Sequence, residues 1–215
     1  SGDIAIDEIC VDEYEFSGCT DPTALNYNPL ATIDDSTCCL LSQAQISQLG
    51  QDIDGEAAID ESGYSVSLSS DGSTVAIGAP YNAGQTGHVR IYSYNGSTWV
   101  QLGQDIDGEA TGDKSGWSVS LSSDGNTVAI GAPNNDGNGY DTTGHVRIYN
   151  WNGTSWTQIG GDINGEGDPD GSGYSVSLSS DGSVVAIGAP YNDENGSYSG
   201  HVRIYAYNGT SWNQL

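Results

Sequence analysis

The chain contains no methionine, a single phenylalanine and only four lysine and arginine residues together. Without Met and with one Phe, any core must be filled by Val, Ile, Ala, Tyr and the five Trp, a β-rich set. Four basic against 29 acidic residues give a formal charge of -25. A field of that sign repels phosphate backbones and anionic lipid, so nucleic acid is not an expected partner. The same charge attracts divalent cations and keeps a chain soluble. No apolar run approaches the ~20 residues that span a bilayer, so no membrane insertion is expected. No stretch sustains a helical period. Also missing are the G-x-S-x-G, H-E-x-x-H, P-loop and C-x-x-C patterns, and the expectation is a protein that is not an enzyme. The sequence opens at Ser1 with no signal-peptide pattern, as expected of a processed form or part of a longer precursor.

What is present is repetition. GYSVSLSSDGSTVAIGAP followed by GHVRIY recurs from Gly63, Gly116 and Gly173, and only the connector after Gly-Ala-Pro changes length. Each copy predicts four strands. Tyr64 to Ser69 alternates large apolar groups with Ser, and Thr74 to Ala79 is apolar on both faces, as in a strand buried between two layers. His88 to Tyr94 follows, then an Asn-Gly hairpin of expected type I′, then Trp99 to Leu102. Four antiparallel strands copied every 50 to 60 residues describe a β-propeller blade.

The pairs Gly63-Tyr64 with Gly78-Ala79-Pro80, Gly116-Trp117 with Gly131-Ala132-Pro133 and Gly173-Tyr174 with Gly188-Ala189-Pro190, each followed by Gly-x-Val-x-Ile-Tyr, resemble the FG-GAP repeat of integrin-type propellers. The resemblance covers 46–215 and agrees with an all-β fold of three tandem four-stranded propeller-like blades over 45–215, in windows of about 46–98, 99–155 and 156–215; residues 1–44 differ in composition and read as a small disulfide-stapled module. That family carries a D-x-D-x-D-G-x-x-D calcium loop between its first two strands. Here the hairpin is Ser-Asp-Gly, with Asp71, Asp124 or Asp181 alone, and one carboxylate cannot provide the six to eight oxygens that Ca2+ takes.

A second acidic motif joins the blades: Asp52, Asp54 and Glu56; Asp105, Asp107 and Glu109; Asp162, Asn164 and Glu166. It reads either as an inter-blade cation site or as a solvated crossover with Gly at a turn. His88, His145 and His201 occur once per repeat in His-Val-Arg, as a metal set around one axis or as repeated packing residues. Arg90, Arg147 and Arg203 are three of the four basic residues, and each is expected to pair with a carboxylate of an adjoining blade.

All four Cys fall between Cys10 and Cys39, an even cluster that points to disulfides and an oxidising, extracellular setting. Adjacent Cys38 and Cys39 are poor partners for each other, which leaves two connectivities. Gly18 to Cys38 resembles the GC-x-DP-x-A-x-NYNP repeats of secreted bacterial surface proteins, and by that resemblance Cys19 pairs with Cys38 and Cys10 with Cys39. Asp21, Asn26, Asn28, Asp34 and Asp35 are hard oxygen ligands of the kind Ca2+ prefers, and equally the residues that close turns. Sequons at Asn95, Asn152, Asn195 and Asn208 suit a secreted glycoprotein.

The fourth-strand pattern appears a fourth time at Ile46 to Gly50, one strand more than three blades need. Three blades are also fewer than the four to eight of a closed propeller, so both ends expose blade faces. Such a chain is part of a longer propeller, closes as an oligomeric ring or stacks head to tail into a filament, and the leading expectation is an extracellular structural or adhesive repeat protein that self-associates head to tail. The rival is a calcium-assisted module that binds glycans or extracellular proteins through the variable loops, with Asn134, Asp136, Tyr140, Asp141, Asp193, Glu194 and Tyr198 as recognition residues.

Overall fold

The computed structural model describes residues 17–22, 27–36, 47–136 and 142–215. They belong to two compact units, Ser1–Gln48 and Leu49–Leu215. In the first, two short strands, β1 (Ser17–Gly18) and β2 (Ile33–Asp34), pair in parallel. Cys19 is buried and disulfide-bonded. Cys10, Cys38, Cys39 and Asn26 lie outside the described residues. Asn28 Oδ1 accepts from Leu30 N and Asp34 Oδ1 from Ser36 N, both at 3.0 Å, so these side chains close turns.

The second unit consists of three antiparallel sheets. The first has the order β3 (Ser65–Leu68), β4 (Thr74–Ala79), β5 (His88–Tyr94), β6 (Trp99–Gln101), with β7 (Ile106–Asp107) also on β5. The second repeats this with β8 (Ser118–Leu121), β9 (Thr127–Ala132), β10 (His145–Trp151), β11 (Trp156–Gln158) and β12 (Ile163–Asn164). The third, β13 (Ser175–Leu178), β14 (Val184–Ala189), β15 (His201–Tyr207) and β16 (Trp212–Gln214), ends without a counterpart of β7. The repeat windows begin at the Trp strand, whereas the sheets close on it, because the tight hairpin after β5 folds β6 back onto the same sheet.

Two local expectations change. The hairpin after β5 is not a type I′ Asn-Gly turn. Asn95 N donates to Thr98 O (3.1 Å), Gly96 alone has positive φ, and Asn95 Oδ1 accepts from Ser97 N and Thr98 N. The turn therefore centres on Gly96-Ser97, with Asn95 as its cap. The extra fourth strand is also absent from 47–50, with Ile46 outside the described residues; instead Leu49 O accepts from Trp99 Nε1 at 2.8 Å. The same tie recurs as Trp156 to Leu102 O and Trp212 to Ile159 O.

Adjacent blades share apolar layers. Ala76, Val89, Ile91 and Ile106 of the first meet Leu121, Val128, Ile130 and Trp156 of the second. Ala129, Val146, Ile148 and Ile163 meet Val185, Ile187 and Tyr205 in the same way. The sheets come this close because the Gly of each Gly-Ala-Pro has no side chain. A Cβ on Gly78 would run into the backbone carbonyl of Gly116, and one on Gly131 into that of Gly173. Ser65 Oγ and Ser118 Oγ donate to those same carbonyls at 2.7 Å.

This packing makes equivalent residues unequal. Ile148 is fully buried and Ile204, its counterpart on the last blade, is 44% exposed. Ile148→Ala should cost about 2–5 kcal/mol and Ile204→Ala under about 1 kcal/mol in dilute protein, measured by urea unfolding. Equal losses would contradict the described junctions.

Candidate functional site

Each blade junction carries a polar belt built from the residues around β5 and its copies. Arg147 enters from β10 of the second blade and donates from NH2 to Asp107 O on β7 at 2.7 Å. Its NH1 lies 3.7 Å from Glu109 Oε1. Arg90 does the same to Asp54 O and Glu56, and Arg203 to Asn164 O and Glu166. Thus Arg147 and Arg203 each pair with the acidic segment that extends the preceding sheet. All three guanidinium groups are buried, and each sits 5.5–5.6 Å from a Tyr ring centroid two residues on, which offsets part of the desolvation. Removing the Glu from such a pair strands a buried cation.

The His residues lie beside these pairs, one per blade. His88 and His145 are buried, and their Nδ1 atoms face Glu56 and Glu109 at 3.9 and 3.8 Å. His201 faces Glu166 at 3.8 Å. Burial, with the Arg147 charge second, pushes His145 down to about 4, so this imidazole is neutral near pH 7. Each His shares its site with the carboxylates beside it. The structure thus unites two features that are separate in sequence, the acidic connector and His-Val-Arg. Asp105 and Asp162 belong to the same groups, and Glu194 joins the third. Asp52 precedes the first blade, at the position equivalent to Asp105.

A buried Asp and Asn pair that was not singled out in the sequence fixes these loops. Asp113 Oδ2 accepts from Asn135 Nδ2 and Ala110 N, both at 2.9 Å. Asp60 with Asn82 and Asp170 with Asn192 repeat the contact, always 22 residues apart. That constant spacing across connectors of different length was the available signal.

The hairpin Asp residues act as turn locks. Asp71 Oδ1 accepts from Ser69 Oγ (2.7 Å) and Ser73 N (2.9 Å), and Asp124 and Asp181 have equivalent bonds. The Ser hydroxyl first, then the backbone N–H, holds Asp71 and Asp181 down to about 2.

Among the variable-loop residues, Asn134 and Tyr198 line a groove of about 530 Å3 with Trp117, Tyr174 and Tyr191. Its rings form a chain across the blades, Tyr64 to Trp117 at 4.6 Å, Trp117 to Tyr174 at 5.4 Å and Tyr191 to Tyr198 at 5.9 Å between centroids. Lys114, the chain's single lysine, lies 5.5 Å over Trp117. Asp136 accepts from Thr142 N (3.4 Å), and the backbone carbonyl of Asp193 accepts from Gly196 N (3.0 Å). Tyr140 and Asp141 lie outside the described residues. Of the sequon asparagines, Asn95, Asn152 and Asn208 cap the exposed hairpins, and Asn195 is exposed in the loop before β15.

Residues 106–149 and 166–205 match the FG-GAP repeat profile. Both stretches are similar to FG-GAP repeats. Gly131 of the first stretch and Gly173 of the second meet across the junction of the second and third blades. No curated protein shows significant similarity to the sequence. Three solved structures are similar to part of this chain. TolB from Acinetobacter baumannii is 16% identical with a TM-score of 0.42, covering 73% of this chain and 32% of TolB. Saccharomyces cerevisiae Sqt1 is 15% identical at 0.45, covering 74% and 35%. The β-propeller domain of the Pyrococcus furiosus Trilobed protease is 9% identical at 0.40, covering 69% and 41%. The chain therefore spans about a third of the first two in length. Among the described residues no helix is long and apolar enough to cross a membrane.

A native pKa below the unfolded value stabilises above the unfolded pKa, and the benefit disappears as pH falls through the native one. Asp71→Asn should therefore melt below wild type at pH 6, and the gap should close between about pH 4 and pH 2, as followed by circular dichroism. A gap independent of pH would contradict the turn-lock role.

Proposed function

We propose that this chain is an extracellular structural subunit whose FG-GAP blades continue from copy to copy, head to tail. The observation that carries the reading is the inequality of matched faces. Val146 and Ile148 are fully buried by the next blade, while their counterparts Val202 and Ile204 are 66% and 44% exposed. On the opposite end, Leu121 is 7% exposed and its counterpart Leu68 is 59% exposed. The glycines behave alike: Gly116 and Gly173 abut the preceding blade, whereas a Cβ on Gly63 would meet open space and one on Gly188 would meet only Ser175 of its own blade.

The two end faces are the two halves of one interface that the chain builds twice internally. Val89 pairs with Ile106 and Val146 with Ile163. By the same register, Val202 of one copy takes Ile53 of the next, a strand-addition contact. Such joining does not close on itself within a three-blade chain, and repeated it gives a filament or ring. The disulfide at Cys19 agrees with an oxidising compartment.

Sedimentation velocity across a concentration series, with negative-stain imaging, tests the reading. Wild type should form particles that grow with concentration. Gly188→Ala should fold, since the added Cβ meets only the rotatable Ser175 hydroxyl, yet remain monomeric. Compact monomers of wild type at all concentrations would overturn it.

The aromatic groove favours a second reading, a binding module for glycans, because exposed Tyr and Trp rings offer flat apolar faces beside polar groups. Binding to a glycan array that Trp117→Ala abolishes, compared with and without EDTA, would support it. An unchanged array signal would remove it.

A further inference from the structure

Two sites gather the same three side chains from three separate segments, one at the leading edge of the first blade and one at the junction of the first and second blades. At the first, His88 Nδ1 lies 3.9 Å from Glu56 Oε2 and 3.9 Å from Asp105 Oδ2. At the second, His145 Nδ1 lies 3.8 Å from Glu109 Oε2, with Asp162 in the group. In each set one ligand atom per residue lies within 4.8 Å of the others. The imidazoles are 3% and 2% exposed, and neither has a hydrogen-bond partner among the described residues. Separations of 3.8–3.9 Å are too long for hydrogen bonds. A buried ring with its nitrogen turned toward two carboxylates and bonded to neither is an unusual resting state.

The charges are unbalanced in the same place. The nearby Arg meets Glu Oε1 at 3.7 Å and leaves Oε2 turned toward the His. One guanidinium cannot neutralise both carboxylates, so each group keeps excess negative charge. The Asp residues are also oriented from behind. Gln101 Nε2 donates to Asp105 Oδ1 at 2.5 Å and Gln158 Nε2 to Asp162 Oδ1 at 2.7 Å, leaving the second oxygen for the centre. Supports of this kind commonly hold metal ligands in place.

We propose that each of these two sites binds one divalent cation of the borderline class, with Zn2+ as its representative, through one imidazole nitrogen and two carboxylate oxygens. Imidazole selects Zn2+ over Ca2+, which takes oxygen ligands almost exclusively. Two ligands of one tetrahedral zinc stand about 3.4 Å apart, so the partly exposed carboxylates, now within 4.8 Å of the other ligand atoms, need to close by up to about 1.4 Å. Three protein ligands leave a fourth position for water. At the second site the cation would tie the acidic segment ending one sheet to the His strand of the next, and at the first it would tie the segment ahead of the first blade to that blade's own His strand. Both sites are complete within one chain and do not depend on head-to-tail association.

The test is calorimetric titration of Zn2+ alone into full-length protein stripped of metal with chelator, with Ca2+ in a parallel run. Zn2+ should bind stoichiometrically and raise the melting temperature. Asp162→Asn, at an exposed position, and His145→Ala should each abolish the second site while leaving the first. Asp162→Asn keeps the test valid if the buried His substitution fails to fold. Absence of Zn2+ binding, a Zn2+ stoichiometry unchanged in Asp162→Asn, or binding of Ca2+ but not Zn2+ would each overturn the proposal.

Discussion

The structure depends on how closely two backbones approach at a blade junction. The Gly of Gly-Ala-Pro faces the carbonyl of the next blade's leading Gly, with no room for a methyl group between them. This brings the apolar faces of neighbouring sheets into direct contact, so that Val and Ile side chains fill the layer without Met or Phe. Short side chains suffice because the layer is thin, and close packing at that thickness supplies the dispersion contacts that bulkier residues provide elsewhere. The Ser hydroxyl that donates to the same carbonyl satisfies a group the approach would otherwise bury unpaired.

Around this contact the polar groups follow a fixed order. A Trp ties the outer edge to the preceding blade, a buried Asp and Asn pair clamps the loop, and an Arg crosses from one sheet to the strand that extends the other. The chain has few cations, and three of its four are placed at this position. The acidic excess is thus partly structural: Glu56, Glu109 and Glu166 hold the buried guanidinium groups, while the hairpin Asp residues hold turns.

Much of the blade was legible in the sequence. Thr74–Ala79 and His88–Tyr94 read correctly because apolar periodicity reports burial directly. The carboxylate expected opposite each Arg also proved to be there, since so few cations in so acidic a chain leave few alternatives. The acidic connector read only as a crossover or ion site, yet its Ile106–Asp107 is a strand, too short at two residues to show a period. The Asn-Gly signal misplaced the turn because Asn95 caps it from outside. The grouping of His145 with Glu109 and Asp162 was invisible in one dimension, as it joins segments on different sheets.

The central claim is that the two end faces of the chain are halves of the junction it forms internally. Cysteine cross-linking reads this directly, because Val202 and Ile53 would be cross-strand partners at a spacing that a disulfide spans. Val202→Cys and Ile53→Cys would be prepared as separate variants and oxidised alone and mixed. The account predicts a covalent heterodimer in the mixture and none from either variant alone. A mixture that stays uncoupled, or coupling as strong within one variant as between the two, would contradict it.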